Sequence, residues 1–527
     1  MSDKDFRFRH SLASRIFVLK LYTNTDGRSE AALATLRAHY YSEVVSRPIA
    51  SVHSNLIREL KSLLGPANVL DQQEDLVLYE FDGSVEKGRP DVVLFPHTTA
   101  EVVQVVKLAG RHEVPIIGRG AGTGLSGGAL ARGGGVMIVF ARMNKIMEVD
   151  VENRRAVVQP GVVNLDITRA VEHAGLYFAP DPSSAKSCTI GGNVAENAGG
   201  PHTLAYGVTT NHVVALELVL PDGKVVRVGS KHGDAAGYDL CGLFVGSEGT
   251  LALVTEITVK LTHKAEAVKT LLAIFETIED ASHAVVEITA GGITPAACEM
   301  MDGWTLRVVE DYIHAGYPRD SGAVLLLEVE GLREAVEAQA AAIDDVCRRC
   351  RAREVRLAKD DRERDLLWKG RKNAFGAMGR IAPSNYVLDG VIPRSKLPQA
   401  LERIKEVGKK YGFNIGNIFH AGDGNLHPIV LYDPRDKKQF ETAIAAAREI
   451  INACVEMGGA LTGEHGVGME KNELMNLLFS DADFALMRRV HDAFNPDSSL
   501  NPGKVFPLSK GCGEIRIKKK EMTSAIV

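Results

Sequence analysis

The stretch PIIGRGAGTGLSGG, residues 115–128, carries six glycines among its last eleven residues. Its first three residues predict a short apolar strand, and the chain then runs through LARGGG into a second apolar strand, VMIVF. A dinucleotide fold of the Rossmann type places its glycines between a strand and a helix, whose N-terminus faces the pyrophosphate. Because no helix follows here, the loop itself is expected to hold an anion through backbone N–H groups, with glycine allowing the close approach.

The overall composition is that of an ordinary globular protein of 527 residues, 45% hydrophobic and 24% charged. A net charge of -5 and a pI near 6.4 give no basic surface for nucleic acid. No apolar run reaches the ~18 residues of a membrane span, and Lys20 interrupts any secretory signal. Seven scattered cysteines favour a reducing compartment. We therefore expect a cytoplasmic protein, which reaches the inner face of the cell membrane only through partners.

Periodicity divides the chain into two regions. Residues 51–65 predict an amphipathic helix, and short strands and helices follow up to residue 261. From residue 268, the strands TLLAIFE and GAVLLLEVE each precede a helix-like stretch, as in a ferredoxin-like layer. Helices are predicted over 397–411 and 437–457, with a hairpin over 415–432 between them. Cys347 and Cys350 form a C-x-x-C without a second pair, which indicates packing or helix-surface thiols.

Three later motifs belong with the glycine loop: TIGGNVAENAGG (189–200), YGVTTNHVVALELVLPDG (206–223) and GSEGTLALVTEITVKL (246–261). A flexible glycine-rich surface loop is the alternative for residues 118–128, and these further clusters disfavour it. In this order the four motifs resemble the FAD-binding domain of the vanillyl-alcohol oxidase/p-cresol methylhydroxylase type. The resemblance implies an α+β fold, in which two α+β subdomains bind FAD and a ferredoxin-like α+β cap domain binds substrate.

In that family the first loop wraps the pyrophosphate, and the later clusters line the ribityl chain and the isoalloxazine. No histidine stands in the first loop, so non-covalent FAD is expected; His97 is a disfavoured candidate for a covalent link. The segment NPGKVFP (501–507) resembles the C-terminal segment that returns to the flavin, although a local turn would also explain it. The resemblance assigns to the cofactor Gly118, Arg119, Gly120, Ala121, Gly122, Thr123, Gly124, Leu125, Pro180, Asp181, Thr189, Gly192, Asn193, Asn197, Gly199, Glu248, Gly249, Ile257 and Asn501.

A second group of candidate functional residues lies in the C-terminal half. NIFHAGDGNLHPIV places His420 and His427 on either side of Asp423-Gly424, a hairpin-turn signal that would bring the two imidazoles together. ALTGEHGVGMEK adds Glu464 and His465 in a glycine-flanked loop. Two histidines and a carboxylate can form a divalent-metal site with an open position. A hydrogen-bonded histidine pair without metal is the alternative at this point.

HAGDGNLHP and GEHGVGMEK resemble motifs of the FAD-linked 2-hydroxy-acid dehydrogenases. The resemblance implies that His420, His427 and Glu464 bind zinc or a similar divalent ion and that His465 is the base. It also implies that Arg371 binds the substrate carboxylate, where the alternative is a solvated arginine on a helix face. In such a reaction the hydroxyl proton is removed, the metal polarises the hydroxyl and the α-hydrogen leaves as hydride to flavin N5.

Within that group, the chain most resembles the FAD-linked D subunits of bacterial glycolate oxidases, through the segments WKGRKNAFGAMGR, LDGVIPRSKLP and FHAGDGNLHP. It implies flavin-domain and iron–sulfur partner subunits, or the quinone pool, as electron acceptors. The apolar Phe375 and Ile429 favour a small acid, glycolate or D-lactate, over a dicarboxylic one. The alternatives are a stand-alone D-lactate dehydrogenase and a non-catalytic flavin-binding subunit of a complex.

These motifs predict the domain boundaries. Residues 51–265 would form the FAD-binding domain and 266–457 the cap domain, while 458–510 would complete the active site and the flavin pocket. Residues 1–50 are expected to be an N-terminal extension without a recognisable site, and 511–527 a solvated tail.

Overall fold

The computed structural model describes residues 54–231 and 237–507; the extension predicted for 1–50 and the tail predicted for 511–527 lie outside these ranges. The described chain contains three main β-sheets and the helices packed on them. Within these ranges, no helix is both long and apolar enough to cross a bilayer. The mixture of helices with mainly antiparallel sheets is the predicted α+β class.

The first sheet carries the glycine loop at the end of a strand. Its order is β1-β2-β4-β3, and β2, β4 and β3 run parallel. The loop leaves β3 and reaches β4 without an intervening helix, as its sequence predicted. The four strands are β1 (Val69–Leu70), β2 (Val92–Leu94), β3 (Ile116–Arg119) and β4 (Val136–Val139).

Two helices cover this sheet. The first, Ser54–Leu64, buries Leu56, Leu60 and Leu64 at helical spacing. The second, Thr99–Arg111, begins with a capping box, in which Thr98 Oγ1 accepts from the N–H of Glu101 and the Glu101 carboxylate accepts from the N–H of Thr98. Both helices pack into one apolar cluster with the strands, which holds the glycine loop on a rigid base.

The second sheet is antiparallel, with the order β5-β6-β10-β8-β9. The predicted turn Pro221-Asp222-Gly223 joins β8 to β9, and a separate pair, β7 with β11, lies beside this sheet. The strands are β5 (Ile146–Asp150), β6 (Arg155–Val158), β7 (Leu176–Tyr177), β8 (Val213–Val219), β9 (Val225–Gly229), β10 (Leu253–Lys260) and β11 (Thr262–His263).

The third sheet begins as the predicted ferredoxin-like layer, with the antiparallel order β15-β12-β14-β13, and continues through β18 and β19 to β17. A branch pairs β18 with β20 and β20 with β16. The strands are β12 (Ala267–Phe275), β13 (Ala297–Asp302), β14 (Ala323–Gly331), β15 (Glu354–Leu357), β16 (Ser384–Val387), β17 (Gly390–Val391), β18 (Ile415–His420), β19 (Asn425–Leu426) and β20 (Pro428–Tyr432).

The other helices are mostly short in the predicted FAD-binding half and long in the predicted cap half. The predicted helices over 397–411 and 437–457 are present, the second ending at Glu456. The remaining α-helices are Gln73–Leu76, Asn164–Val171, Ile190–Glu196, Thr203–Tyr206, Leu240–Phe244, Ile278–Ala290, Gly303–Ile313, Arg333–Arg349, Asp361–Lys372, Ala374–Met378 and Asp481–Phe494.

The C-terminal segment returns to the first sheet. The N–H of Ile116 on β3 donates to the carbonyl of Ser499 at 2.8 Å, and the N–H of Asn501 donates to the carbonyl of Ile116 at the same distance. Residues 499–501 therefore extend the edge of the sheet next to the strand that leads into the glycine loop.

Candidate active site

The glycine loop forms a cradle that side chains would fill. A Cβ at Gly120 would clash with Thr189 Oγ1 and would lie 3.6 Å from the backbone N of Gly192, so the loop packs against the start of the second glycine motif. The hydroxyls of Thr189 and Ser126 are buried there and have no hydrogen-bond partner in the described part of the chain. Buried polar atoms need partners, so the cradle fits a ligand with hydrogen-bonding groups, as FAD has.

Arg119 stabilises this loop from inside. Its Nη2 donates to the carbonyl of Phe81 at 2.8 Å, and its Nη1 lies 3.5 Å from the carbonyl of Ala129. Gly122, at φ +71°, leaves the space that the guanidinium occupies. The loop residues 118–125 thus lie where the sequence predicted, with Arg119 bound to protein carbonyls; its contact with the cofactor stays a prediction.

The other residues predicted for the cofactor fall into two groups. Thr189 and Gly192 lie against Gly120 of the loop. Pro180 and Asn193 are joined through Asn164, and Asn197 is left-handed at φ +55° and accepts from the N–H of Thr210. Ile257 instead lies on β10, with its side chain wholly buried in the core of the second sheet. The roles of all of these toward FAD stay predictions.

Asn501 and Glu248 connect the loop to the C-terminal half. Asn501 Nδ2 donates to the carbonyls of Gly128 (2.9 Å) and Glu248 (2.6 Å). The carboxylate of Glu248 accepts from the N–H groups of Val467 and Gly468, each at 2.7 Å. The predicted return of residues 501–507 therefore ends beside the glycine loop, and the loop that carries Glu464 and His465 is attached to the FAD-binding half.

His420, His427 and Glu464 converge on one point. His420 ends β18 and His427 follows β19, so the turn at 423–424 brings the rings together with centroids 5.1 Å apart. The Nε2 atoms of both rings lie 3.1 Å from the same oxygen, Glu464 Oε1. Glu464 also lies against the FAD-binding half, because a Cβ at Gly199 would be 2.7 Å from Oε2. The three predicted metal ligands are therefore neighbours.

Hydrogen bonds on the far side of each ring fix which nitrogen faces Glu464. His427 Nδ1 lies 3.0 Å from the carbonyl of Leu388, which can only accept, so Nδ1 carries the proton. His420 Nδ1 lies 2.8 Å from Glu299 Oε1 in the same way. In the neutral rings, both Nε2 lone pairs then face a carboxylate oxygen, and three acceptors meet. A proton or a cation must lie among them, so the three side chains could hold a metal ion.

The pKa of His420 also indicates that a positive charge is favourable at this point. Burial opposes protonation of this ring, but the carboxylates of Glu299 and Glu464 outweigh that cost and raise the pKa of His420 well above its usual value. A divalent cation would satisfy the same carboxylates with the ring neutral.

Glu299 is a site residue that the sequence did not reveal. It lies on β13, is 1% exposed, and contacts His420 through Oε1 and the Nη2 of Arg371 through Oε2 at 2.5 Å. The periodicity predicts no strand between TLLAIFE and GAVLLLEVE, so Glu299 has no predicted place in a sheet. One carboxylate thus contacts both the predicted metal ligand His420 and the predicted substrate arginine.

Changing Glu299 to Gln is expected to weaken metal binding by about 10- to 100-fold, because the imidazole loses its charged partner. Competition with a chelator of known affinity, read as metal retained per chain, measures this. The matched control is Glu354→Gln on the exposed edge strand β15. Equal metal retention in both variants would contradict the orienting role.

Arg371 is buried rather than solvated. It is 1% exposed on the helix Asp361–Lys372, which excludes a helix-face arginine in water. Apart from the close ion pair with Glu299, its guanidinium nitrogens have no well-directed hydrogen bond to any described residue. A planar cation with open donors suits a substrate carboxylate.

His465 stacks on His427, with centroids 5.0 Å apart and an interplanar angle of 7°. Its side chain is 10% exposed, and its Nδ1 lies 4.0 Å from Asp389 Oδ2. Burial, helped by the neighbouring positive groups and opposed by Asp389, lowers the pKa of His465 to about 4. The ring is therefore neutral near pH 7 and able to accept a proton.

Asp389 holds the loop that carries the two residues, and sequence reasoning missed it as well. It accepts from the hydroxyl of Thr462 and from the N–H groups of residues 463, 464 and 465, with the buried ammonium of Lys471 at 3.5 Å. Burial opposes its charge, but His465 and Lys471 outweigh that cost and lower the pKa of Asp389 to about 2. The anion therefore fixes the backbone of Glu464 and His465.

Family models match both halves of the chain: a FAD binding domain over residues 90–229 and the C-terminal domain of FAD linked oxidases over 264–505. The glycolate oxidase subunit GlcD of Escherichia coli is 44% identical over 88% of this chain and 93% of its own length. A D-lactate dehydrogenase of Archaeoglobus fulgidus is 36% identical, over 79% and 91%. The structure of p-cresol methylhydroxylase aligns with a TM-score of 0.75 at 19% identity, covering 86% of this chain and 96% of the other.

Proposed function

The chain belongs to the FAD-linked oxidases and is an FAD-dependent 2-hydroxy-acid oxidoreductase, and on that premise we propose that it oxidises glycolate to glyoxylate with the help of a divalent cation, probed first as zinc. The observation that carries the proposal is the meeting of three acceptors, His420, His427 and Glu464, beside a buried arginine. The stand-alone D-lactate dehydrogenase is the second candidate, because a relative of that name matches most of the chain.

The residues divide the work of the reaction. Arg371 would bind the substrate carboxylate, held in place by Glu299. His465, neutral at pH 7, would take the hydroxyl proton. The glycine loop and the segments around it would hold FAD, which when bound supplies the acceptor for the α-hydrogen. His420, His427 and Glu464 would hold the cation, which when bound makes the hydroxyl more acidic. Loss of one proton and one hydride converts the hydroxy acid to the oxo acid.

The domain boundaries stay as predicted and are part of the proposal. The match to the FAD binding domain ends at residue 229, and the match to the C-terminal domain of FAD linked oxidases begins at residue 264. Together they support a boundary near residue 265. The apolar Ile429, fully buried, and Phe375, half-buried, offer no group for a second carboxylate, which supports a small substrate.

The electrons are proposed to leave through a partner protein. The relative in Escherichia coli is named as a subunit of glycolate oxidase, which supports a subunit role here. Flavin-domain and iron–sulfur subunits remain the proposed partners, with the quinone pool as the further acceptor. Purification of the chain from its own cells under mild conditions would show whether an iron–sulfur protein accompanies it.

The anaerobic visible spectrum tests the substrate. We expect glycolate or D-lactate to bleach the flavin band rapidly and D-2-hydroxyglutarate to leave it unchanged. The relative rates decide between the first two acids, since one methyl group is worth only ~1–3 kcal/mol in a pocket. A flavin band unchanged by all three would contradict the proposal. Chelation followed by zinc addition tests the cation: unchanged reduction in a metal-free sample would remove it from the reaction.

The low pKa of His465 predicts that the rate of flavin reduction does not fall between neutral and mildly acidic pH. The base must be neutral to act, and a pKa of about 4 keeps it neutral down to that pH. We expect the rate of flavin reduction, with metal in excess, to stay flat from pH 7 to pH 5. Stopped-flow absorbance across this range measures it. An acid limb near the ordinary histidine pKa of ~6.5 would contradict the assignment.

A further inference from the structure

A network of charges joins the helix of Arg371 to the FAD-binding half. The ammonium of Lys372, the next residue, lies 2.9 Å from Asp181 Oδ2. Asp181 also contacts His202 Nδ1 at 3.0 Å. Both Asp181 and His202 precede the second sheet's strand β8, whereas Lys372 belongs to the cap half. One ion pair therefore spans the two halves immediately beside the predicted substrate arginine.

The same helix is attached at two further points, one and two turns earlier. Trp368 Nε1 donates to Glu328 Oε2 at 2.8 Å, and Arg364 Nε lies 3.0 Å from the same oxygen. Glu328 lies on β14 and is completely buried. These contacts fix the beginning of the helix to the cap sheet, and the pair with Asp181 fixes its end.

His202 closes the network into a continuous chain. Its Nδ1 meets Asp181 and its Nε2 lies 3.3 Å from Glu328 Oε1, while its ring lies 5.6 Å from that of Trp368. Burial opposes its charge, but the two carboxylates outweigh that cost and raise the pKa of His202 to about 10. The imidazolium therefore links a carboxylate of the FAD-binding half to one of the cap.

On its opposite side, the helix Asp361–Lys372 packs closely against Tyr317. A Cβ at Gly370 would lie 2.6 Å from Tyr317 Cε2, and the hydroxyl of Tyr317 donates to the carbonyl of Leu367 at 2.6 Å. The helix is thus held between Tyr317 and the charge network, and the direction of Arg371 depends on both.

We propose that Asp181, His202 and Lys372 are positioning residues, which aim Arg371 at the substrate carboxylate by fastening the end of its helix to the FAD-binding half. The inference rests on the proposed role of Arg371. It also gives the Asp181 side chain a task different from the predicted contact with FAD, because both of its cationic partners are protein groups.

Steady-state kinetics of the FAD-loaded enzyme with glycolate tests the proposal. Lys372→Gln and Asp181→Asn are each expected to raise KM about tenfold with kcat changed much less. Because Asp181→Asn removes the carboxylate that both Lys372 and His202 contact, the double variant should resemble Asp181→Asn. Lys372→Arg should restore most of the KM. Lys369→Gln, exposed on the same helix, is the matched control and should match the wild type.

Three results would overturn the proposal: an unchanged KM, additive effects of the two changes, or loss of FAD from Asp181→Asn alone, which would assign that side chain to the cofactor. A wild-type enzyme that oxidises no 2-hydroxy acid would instead refute the proposed function. In that event the ion pair can still be tested by the thermal unfolding of the wild type, Lys372→Gln, Asp181→Asn and the double variant. Additive shifts in the unfolding midpoint would show that the two side chains do not interact.

Discussion

Replacing His465 with alanine is expected to leave FAD bound and to slow flavin reduction by glycolate by about 10²- to 10⁴-fold, the usual contribution of a general base. The ring is the one group at the site that is neutral at pH 7 because of burial and is still 10% exposed. The other two imidazoles have their Nδ1 atoms bound and their Nε2 atoms directed at Glu464. A cation held by His420, His427 and Glu464 would occupy both Nε2 lone pairs, which leaves His465 as the imidazole that can take the proton.

The measurement is anaerobic stopped-flow reduction, with FAD and metal content determined on the same samples. His283→Ala, exposed on the helix Ile278–Ala290, is the control for histidine loss without loss of the base. His465→Gln should be as slow as the alanine variant, because an amide fills the space but cannot accept the proton. Reduction at the wild-type rate in either variant would remove His465 from the chemistry, and loss of metal would show that its stacking on His427 supports the ligand set.

The parts of the site that the sequence predicts are those built from local signals. An aspartate–glycine turn between two short strands forces His420 and His427 together whatever surrounds them. The glycines of residues 118–128 likewise predict a cradle because only glycine permits such close packing of backbone. The capping threonine and the spacing of leucines predict the helices that support that cradle.

The parts that were missed depend on strand order. Glu299 meets His420 because β13 pairs with β18, with Glu299 opposite His420 in the register, although more than a hundred residues separate the strands. The sequence ACEMMD has no periodic pattern that would predict a contact between Glu299 and His420. Asp389 is similar: it acts through backbone N–H groups of a distant loop, which any sequence could supply. Glu299, in a strand, and Asp389, in the connection between β16 and β17, therefore needed the sheet topology before they could be read as site residues.

Asp181 shows a third kind of limit. The resemblance assigned it to the cofactor, and its side chain pairs with Lys372 and His202; its contact with FAD stays a prediction. A motif indicates which segment lies near a ligand, but it does not indicate which way each side chain points. For Asp181 the direction is set by His202, in the same half of the chain, and by Lys372 of the other half.

Changes at Arg371 are expected to separate binding from folding. Arg371→Lys keeps the charge beside Glu299 but loses the planar fork, so kcat/KM should fall about 10²-fold with a small change in stability. Arg371→Met removes the charge as well, and kcat/KM should fall about 10³-fold or more. It also removes the buried cation beside Glu299, which is 1% exposed and keeps His420 as its other partner. Removing one partner of a buried ion pair costs about 3–5 kcal/mol of stability.

The double variant Glu299→Gln with Arg371→Met distinguishes these two effects. Removing both charges should recover most of the stability lost in Arg371→Met, because no buried carboxylate is left without its cation, while the activity stays low because no cation meets the substrate. Thermal unfolding midpoints and kcat/KM of the four proteins measure both quantities. Recovery of activity together with stability would show that Arg371 serves only to neutralise Glu299, and the substrate carboxylate would then need another cation.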